Sequence, residues 1–177
     1  MRKQEVILVT TEDEEIGVME KMEAHRQGLL HRAFSVFIFD REGKMLLQQR
    51  APQKYHGGLL WTNACCSHPF PGESVEDAAE RRLNEELGFV TSLKKIFAFT
   101  YKADVENNLV EHEYDHVFAG EYDGEIKPNS EEVAAFAYHS MEEIGLLIEE
   151  KPAAFTTWFK LAFPQIEAWW KRAYVVV

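Results

Sequence analysis

A thiol and an imidazole lie two residues apart near the middle of the chain. Cys66 precedes His68 in the stretch TNACCSHPFPGES, which spans residues 62–74. A thiol can give or take a proton, and an imidazole can move a proton or bind a metal near neutral pH. The pair therefore marks this stretch as a candidate reactive site.

Cys66 is one of only two cysteines, and the other is its neighbour Cys65. A disulfide between adjacent residues would be strained, so we expect none. Successive residues of a strand face opposite sides, so we expect one cysteine to be reactive and the other to be a small buried residue. The spacing Cys66-x-His68 assigns the reactive position to Cys66 and leaves Cys65 in the core.

Carboxylates at alternate positions of residues 109–122 could form a site together with Cys66 and His68. In LVEHEYDHVFAGEY, the side chains of Glu111, Glu113 and Asp115 share one face of a predicted strand. With three histidines, Glu111 and Glu113 would supply three nitrogen and two oxygen ligands, a set that suits Mg²⁺, Mn²⁺ or a high-coordinate Zn²⁺. The candidate metal ligands are His25, His31, His68, Glu111 and Glu113.

A lone histidine is more often a surface or core residue than a ligand. We assign no role to the remaining four, which are His56, His112, His116 and His139.

The charges that follow this stretch are arranged along one predicted helix. Ser74 is a suitable N-cap, apolar residues repeat at helical spacing, and Gly88 ends the helix. Arg82 and Glu86 are four residues apart, as are Arg81 and Glu85, and the simplest interpretation is solvated ion pairs worth a few tenths of a kcal/mol each.

A second interpretation of the helix comes from its resemblance to the Nudix signature, in which helix carboxylates bind a divalent metal and present it to a diphosphate. The matching residues are Glu73, Arg81, Leu83, Glu85, Glu86, Gly88 and Phe89. Ser67 stands where the leading glycine is expected, and Arg82 stands where a hydrolase carries a metal-binding glutamate. A guanidinium weakens a metal cluster that activates water but improves a clamp on phosphate oxygens, so we expect the diphosphate to be held and not cleaved.

The separate motifs together resemble the type I isopentenyl diphosphate isomerases of the Nudix superfamily. These motifs are TNACCSHPFPGES, the helix pattern AAxRRLxxELG, the downstream EHE of residues 111–113, and the two upstream histidines. The likeness runs over nearly the whole chain. It implies that Cys66 and Glu113 flank the substrate and move its proton, and that the five candidate ligands bind a metal.

The resemblance also assigns roles at the rest of the site. Trp158 and Tyr101 are expected to stabilise a carbocation, although aromatic residues usually owe their place to core packing. Glu86 is expected to bind a second Mg²⁺ that arrives with the substrate. The residues expected to bind the diphosphate are Lys21, Arg50, Lys54 and Arg82. Each alone is most simply a surface cation, but together they would form a local positive pocket.

The chemistry explains why such a layout is needed. Moving an unactivated double bond requires protonation to a tertiary carbocation and removal of a proton from the other side. One acid and one base must therefore face each other, and water must be excluded because it would capture the cation.

The elements that position these residues predict a mixed α/β fold. We expect a single domain over residues 1–177, an α/β (α+β) Nudix-type α/β/α sandwich with a mixed sheet. We predict a hairpin of strands 33–39 and 45–49, and a hairpin turn at Asp123-Gly124 before strand 133–139. The other predicted strands are 5–9, 61–67, 93–101 and 109–122, and the other predicted helices begin at Ser140, with a capping box, and at Thr156.

Composition limits the class of partner. With 19 basic and 30 acidic residues the net charge is -11, which disfavours a nucleic acid. No apolar run approaches a membrane span and the first residues lack the pattern of a signal peptide, so we expect a cytoplasmic protein with no membrane partner. The expected partner is a small prenyl diphosphate, and the oligomeric state stays open.

Two other functions remain open at this level. One is a Nudix hydrolase of a nucleoside or prenyl diphosphate, which would release phosphate or nucleotide. The other is a catalytically silent, metal-stabilised binding module, in which Cys66 would tolerate serine.

Overall fold

The computed structural model describes residues 4–175, so both ends of the predicted 1–177 domain lie outside the described residues. Four α-helices, two short 3₁₀ helices and nine strands occur within that range, and none of these helices is long and apolar enough to cross a membrane. The strands are β1 Glu5–Val9, β2 Glu15–Glu20, β3 His31–Phe39, β4 Met45–Arg50, β5 Trp61–Thr62, β6 Cys65–Ser67, β7 Lys94–Val105, β8 Leu109–Glu121 and β9 Val133–His139. The helices are α1 Lys21–Gln27, α2 Val75–Leu87, α3 Met141–Glu150 and α4 Thr157–Tyr174.

Strand β3 lies at the centre of one mixed sheet. It runs parallel to β8, with His31 opposite Glu113, and antiparallel to β6, with Ser35 opposite Cys66. The other strand pairs of the described residues are antiparallel. One strand therefore brings the thiol segment and the acidic segment to the same part of the sheet.

Two hydrophobic clusters cover the two faces of this sheet. Helix α2 packs on one face through Ala78, Ala79 and Leu83, and α4 packs on the other through Trp158 and Phe159. Strand β3 lies between the two clusters, and all of its residues except Arg32 are buried. This is typical of a sheet that is covered on both sides. The predicted α/β/α sandwich with a mixed sheet is confirmed.

Helix α2 ends as its sequence predicts. The Ser74 side chain accepts a hydrogen bond from the Asp77 backbone N–H at 3.1 Å, and Gly88 has the left-handed φ of 74°. A Cβ at Gly88 would come 2.6 Å from the Lys127 carbonyl oxygen, so this position needs glycine for space as well as conformation.

The predicted hairpin turn at Asp123-Gly124 is wrong. Strand β8 already has β3 and β7 on its two edges, and β9 instead pairs antiparallel with β4. The predicted hairpin of β3 and β4 closes at its turn, but only Phe39 and Met45 pair because the edges of β3 are taken by β6 and β8. The predicted strand 61–67 is two short strands interrupted at residues 63–64. Each of these differences arises from the pairing of strands that are distant in the sequence, which local sequence patterns do not specify.

Candidate active site

A cleft of about 250 Å³ opens beside β8 and β6. Eight of its lining residues are those assigned to catalysis or substrate binding from sequence, namely Lys21, Arg50, Lys54, Cys66, Arg82, Tyr101, Glu113 and Trp158. We call the part lined by Cys66, Tyr101, Glu113 and Trp158 the reaction end. The part lined by the four cations is the cationic end.

Three histidines and a carboxylate converge at the reaction end. One potential ligand atom from each of His25, His31, His68 and Glu113 lies within 4.8 Å of all the others, and all four side chains are buried. Helix α1 supplies His25, the first residue of β3 supplies His31, and His68 directly follows β6. Four of the five predicted metal ligands therefore meet in one cluster.

Glu111, the fifth predicted ligand, lies beside this cluster. Its Oε2 is 3.5 Å from His25 Nε2, and its Oε1 is 2.6 Å from His56 Nε2. Burial and the neighbouring Glu113 act to raise the pKa of Glu111, but His25 and His56 outweigh them and lower it. The carboxylate is therefore ionised and lies within reach of an ion bound by the histidines.

The environment of the imidazoles fits a divalent cation. The Nδ1 atoms of His25 and His31 lie 2.7 Å from the Lys21 carbonyl oxygen and 2.8 Å from the Leu29 carbonyl oxygen, which assigns their protons to Nδ1. The Nε2 atoms of His31 and His68 then face each other at 3.2 Å. Burial, with the nearby Lys21 adding to it, lowers the pKa of His68 well below its ordinary value, which keeps this ring neutral. Lone pairs that converge in this way, with two carboxylates beside them, form a suitable donor set for Mn²⁺, Mg²⁺ or Zn²⁺.

Glu113 is held from two sides. Its Oε1 lies 2.9 Å from His68 Nε2, and its Oε2 accepts a hydrogen bond from the Tyr101 hydroxyl at 2.7 Å. Burial acts to raise the pKa of Glu113, but contacts with His31 and Tyr101 outweigh it and lower the pKa to about 2. The group is therefore a carboxylate with one oxygen toward the histidines and the other toward the tyrosine.

The two cysteines face opposite sides, as predicted. Cys65 is fully buried in the cluster under α2, whereas Cys66 lines the cleft. Burial raises the pKa of Cys66 well above its ordinary value, and the nearby Asp115 adds to this rise. The resting thiol therefore keeps its proton, while Glu113 does not.

Aromatic rings close the reaction end. Trp158 is 6% exposed and Tyr101 is 8% exposed, and both also pack in the hydrophobic cluster under α4. The Trp158 ring lies 5.2 Å from the Arg50 guanidinium carbon and 5.6 Å from the His56 ring. These residues are thus core residues that also present a π surface to the cleft.

The cationic end is internally paired. Lys54 contacts Glu132, and Arg82 lies 3.4 Å from the same carboxylate. Lys21 lies 4.6 Å from the centre of the Tyr55 ring, and burial among Lys54 and Arg50 lowers its pKa to about 8 despite the attraction of Glu111. Four cations against one lining carboxylate at this end would attract an anion in a protein that is acidic overall.

The structure does not bring Glu86 to the wall of the cleft. This buried carboxylate accepts hydrogen bonds from Arg82 at 2.6 Å and from Gln48 at 2.8 Å. It therefore lies behind Arg82, and its expected contact with a substrate-bound Mg²⁺ stays a prediction.

The cleft also contains residues that the sequence gave no reason to choose. His56 is 3% exposed and contacts Glu111, Tyr55 stacks edge-on against it, and Glu132 pairs with the cations. The only sequence signal for the first two is their position after Lys54 in a Gly-rich loop. His112, His116 and His139, by contrast, do not line the cleft.

Comparison with known proteins places this chain in a family. The NUDIX domain pattern matches residues 29–159. A Burkholderia multivorans protein named isopentenyl-diphosphate Delta-isomerase is 46% identical over 175 residues, covering 96% of this chain and 99% of that protein. A Photorhabdus laumondii isopentenyl-diphosphate Delta-isomerase 2 is 47% identical over 169 residues, covering 93% and 96% of the two chains.

Solved structures show the same fold at lower identity. A crystal structure of a Deinococcus radiodurans protein superimposes with a TM-score of 0.75 at 19% identity, covering 89% of this chain and 96% of that one. A MutT protein from Methanosarcina mazei gives a TM-score of 0.65 at 17% identity, covering 78% and 94%.

Proposed function

Since the chain belongs to the NUDIX family and, within it, to the isopentenyl-diphosphate Delta-isomerases, we propose that its cleft interconverts isopentenyl diphosphate and dimethylallyl diphosphate. The observation that carries this proposal is the pairing of a protonated thiol, Cys66, with an ionised carboxylate, Glu113, in one cleft with four cations at its other end.

The resting site holds the one proton that the reaction needs. When the thiol gives its proton to the terminal carbon of the alkene, the S–H bond breaks and a tertiary carbocation forms. Glu113 then takes a proton from the adjacent carbon, and that C–H electron pair becomes the new double bond. The site now holds a thiolate and a carboxylic acid, and transfer of one proton between them restores it. In the reverse direction the two groups exchange roles.

The reaction end protects the cation. Trp158 and Tyr101 offer π surfaces that stabilise a positive charge, and their burial keeps water from capturing it. Tyr101 also donates its hydroxyl hydrogen to Glu113, which fixes the direction of that carboxylate.

The cationic end binds the diphosphate. Lys21, Arg50, Lys54 and Arg82 are the cations that would hold its oxygens, and Arg82 has the planar donor geometry for two of them at once. Bound there, the diphosphate orients the five-carbon tail toward Cys66 and Glu113, which both reach the cleft from strands beside β3.

We propose that His25, His31, His68, Glu111 and Glu113 hold a divalent metal. The donor set of imidazoles and carboxylates fits Mn²⁺, Mg²⁺ or Zn²⁺. Such an ion would supply positive charge that favours the ionised form of Glu113 and holds its side chain in place. A second Mg²⁺ would arrive with the diphosphate near Glu86 and Arg82.

The free thiol fits a cytoplasmic setting. Cys66 works only when reduced, and the reducing cytoplasm keeps unpaired cysteines in that state.

Hydrolysis of a nucleoside or prenyl diphosphate is the second candidate, favoured only by the NUDIX fold. The charge on α2 argues against it, because Arg82 occupies the position at which the signature expects a metal-binding carboxylate. Helix α2 therefore offers a phosphate clamp in place of one ligand of a water-activating metal cluster.

One experiment separates these functions. The metal-loaded protein is incubated with isopentenyl diphosphate and Mg²⁺ in D₂O and followed by NMR together with a phosphate assay. Isomerisation gives deuterium in the allylic product without phosphate release. Phosphate release would support a hydrolase, and the absence of both would support a silent binding module.

A further inference from the structure

The hydroxyl of Ser35 lies against the sulfur of Cys66. The two residues are register partners on β3 and β6, and Ser35 Oγ is 3.3 Å from Cys66 Sγ. Ser35 is 3% exposed and is the one polar residue in the strand segment AFSVFIF, residues 33–39. Burying a hydroxyl is costly unless it is hydrogen-bonded, so its partners indicate why it is there.

Asp115 holds that hydroxyl from the opposite side. Ser35 Oγ donates to Asp115 Oδ2 at 2.7 Å, and Asp115 is 1% exposed. Within residues 4–175, Asp115 has no cationic partner and its Oδ1 has no hydrogen bond. Asp115 therefore contacts Ser35, and Ser35 in turn contacts the reactive sulfur of Cys66.

Asn63 is a second side chain in contact with the thiol. Its Nδ2 donates to the carbonyl oxygens of Val36 at 3.0 Å and Cys65 at 2.9 Å. These two bonds turn Oδ1 toward the thiol, which donates to it at 3.1 Å. The resting S–H group thus has an acceptor in Asn63, and Ser35 is the neighbour able to act as a donor after the proton has left.

This inference rests on the proposed function. We propose that Ser35 is a catalytic residue whose hydroxyl donates a hydrogen bond to the Cys66 sulfur as the thiol gives up its proton, and that Asp115 is a positioning residue that keeps the hydroxyl in reach. The S–H electron pair stays on sulfur, the proton bonds to the alkene carbon, and Ser35 keeps its own proton. Rotation about the Ser35 Cβ–Oγ bond moves its donor from Asp115 to the sulfur.

The energetic reason is the limited access of water to the thiol. A thiolate formed in a partly buried site loses part of the hydration that would stabilise it in bulk water, so a preorganised donor lowers the barrier. A charge-assisted hydrogen bond is stronger than a neutral one, so this donor stabilises the thiolate more than the resting thiol. Ser35 should therefore affect turnover more than substrate binding.

The test compares Ser35→Ala and Ser35→Thr in the metal-loaded full chain, with Cys66→Ser as the reference and Tyr138→Phe as the control for loss of a distant hydroxyl. The measurements are kcat and KM for isopentenyl diphosphate, bound metal, Tm, and the infrared S–H stretch assigned by subtraction of the Cys66→Ser spectrum. We expect Ser35→Ala to lower kcat on the order of 10- to 100-fold with KM changed less than about twofold. We also expect it to shift the S–H band, and Ser35→Thr to restore most of the turnover.

Asp115 is tested by a second pair of variants. Asp115→Asn keeps a hydrogen-bonding partner for Ser35 and should retain more turnover than Asp115→Ala, with the S–H band moving in the same order.

Several results would overturn the inference. These are a kcat of Ser35→Ala within about twofold of the unmodified protein, a loss of bound metal that accounts for the whole effect, or an unmoved S–H band. If the unmodified protein forms no allylic product, or if Cys66→Ser is fully active, the proposed function fails instead. In that case a shifted band in Ser35→Ala still shows that the hydroxyl lies against the resting thiol, and an unmoved band contradicts that contact.

Discussion

The two ends of the cleft are held in different ways. At the reaction end, Glu113 is buried and Cys66 is partly buried, and their partners are hydroxyl, amide and imidazole groups at distances of 2.7 to 3.3 Å. At the cationic end, Lys54 and Arg82 are half-buried, and their partners are carboxylates. Lys54 contacts Glu132, and Arg82 contacts Glu86 at 2.6 Å, Glu85 at 2.7 Å and Glu132 at 3.4 Å. Directional hydrogen bonds therefore orient the side chains of the reaction end, whereas ion pairs neutralise the charges of the cationic end.

This difference indicates that the two ends of the cleft contribute to different steps, proton transfer at one and diphosphate binding at the other. Groups in directional bonds are already oriented for proton transfer and need little reorganisation when substrate binds. Lys54, which is already paired, must exchange Glu132 for the diphosphate, and that exchange reduces the net free energy of binding. Changes at the reaction end should therefore lower kcat strongly, and changes at the cationic end should alter KM and its dependence on pH and salt.

The largest expected effect is that of Cys66→Ser. A serine hydroxyl is a far weaker acid than a thiol, so turnover should fall on the order of 10³-fold or more while Tm stays nearly unchanged. The matched control is Cys65→Ala, which alters the neighbouring thiol on the other side of β6 and should retain most of the turnover. Equal losses in the two variants would contradict the assignment of Cys66.

Glu113→Gln should come next. It removes both the base and one ligand of the histidine cluster, so turnover should fall at least about 10²-fold and bound metal, measured by elemental analysis, should decrease. Glu121→Gln, at the far end of β8, is the control that should preserve both. A metal-loaded and active Glu113→Gln protein would remove this residue from the mechanism.

A smaller effect is expected from pH at the cationic end. Burial lowers the pKa of Lys21 to about 8, so its charge is present below that pH and is lost above it. The value of kcat/KM should accordingly fall as the pH rises through about 8. Lys21→Arg should flatten this fall because a guanidinium stays charged. A fall that is identical in both proteins would assign it to another group.

Glu132→Gln should have the smallest effect, in the opposite direction. Without the internal carboxylate, Lys54 loses its partner and is free for the diphosphate, whereas Arg82 keeps Glu85 and Glu86. KM should therefore decrease about two- to fivefold at low salt and less at high salt. An increase in KM that is relieved by added Mg²⁺ would instead make Glu132 a ligand of the substrate-bound ion. The comparison of the two ends would then need revision.

Local sequence determined several parts of the molecule. Ser74 and Gly88 specify where α2 begins and ends, because a side-chain acceptor and a left-handed backbone are local requirements. Alternation along β8 specified that Glu111 and Glu113 share a face, and the adjacency of Cys65 and Cys66 specified that they diverge. The Cys66-x-His68 spacing and the signature of α2 were sufficient to indicate the family.

Only the tertiary structure decided which distant groups meet. The pairing of β3 with both β6 and β8 brings Ser35, Cys66 and Asp115 together from three separate segments, and no spacing along the chain encodes that contact. The same holds for His56 against Glu111 and for Glu132 against Lys54. The partner of a buried polar group is set by which strands lie side by side, and strand order depends on the packing of the whole chain.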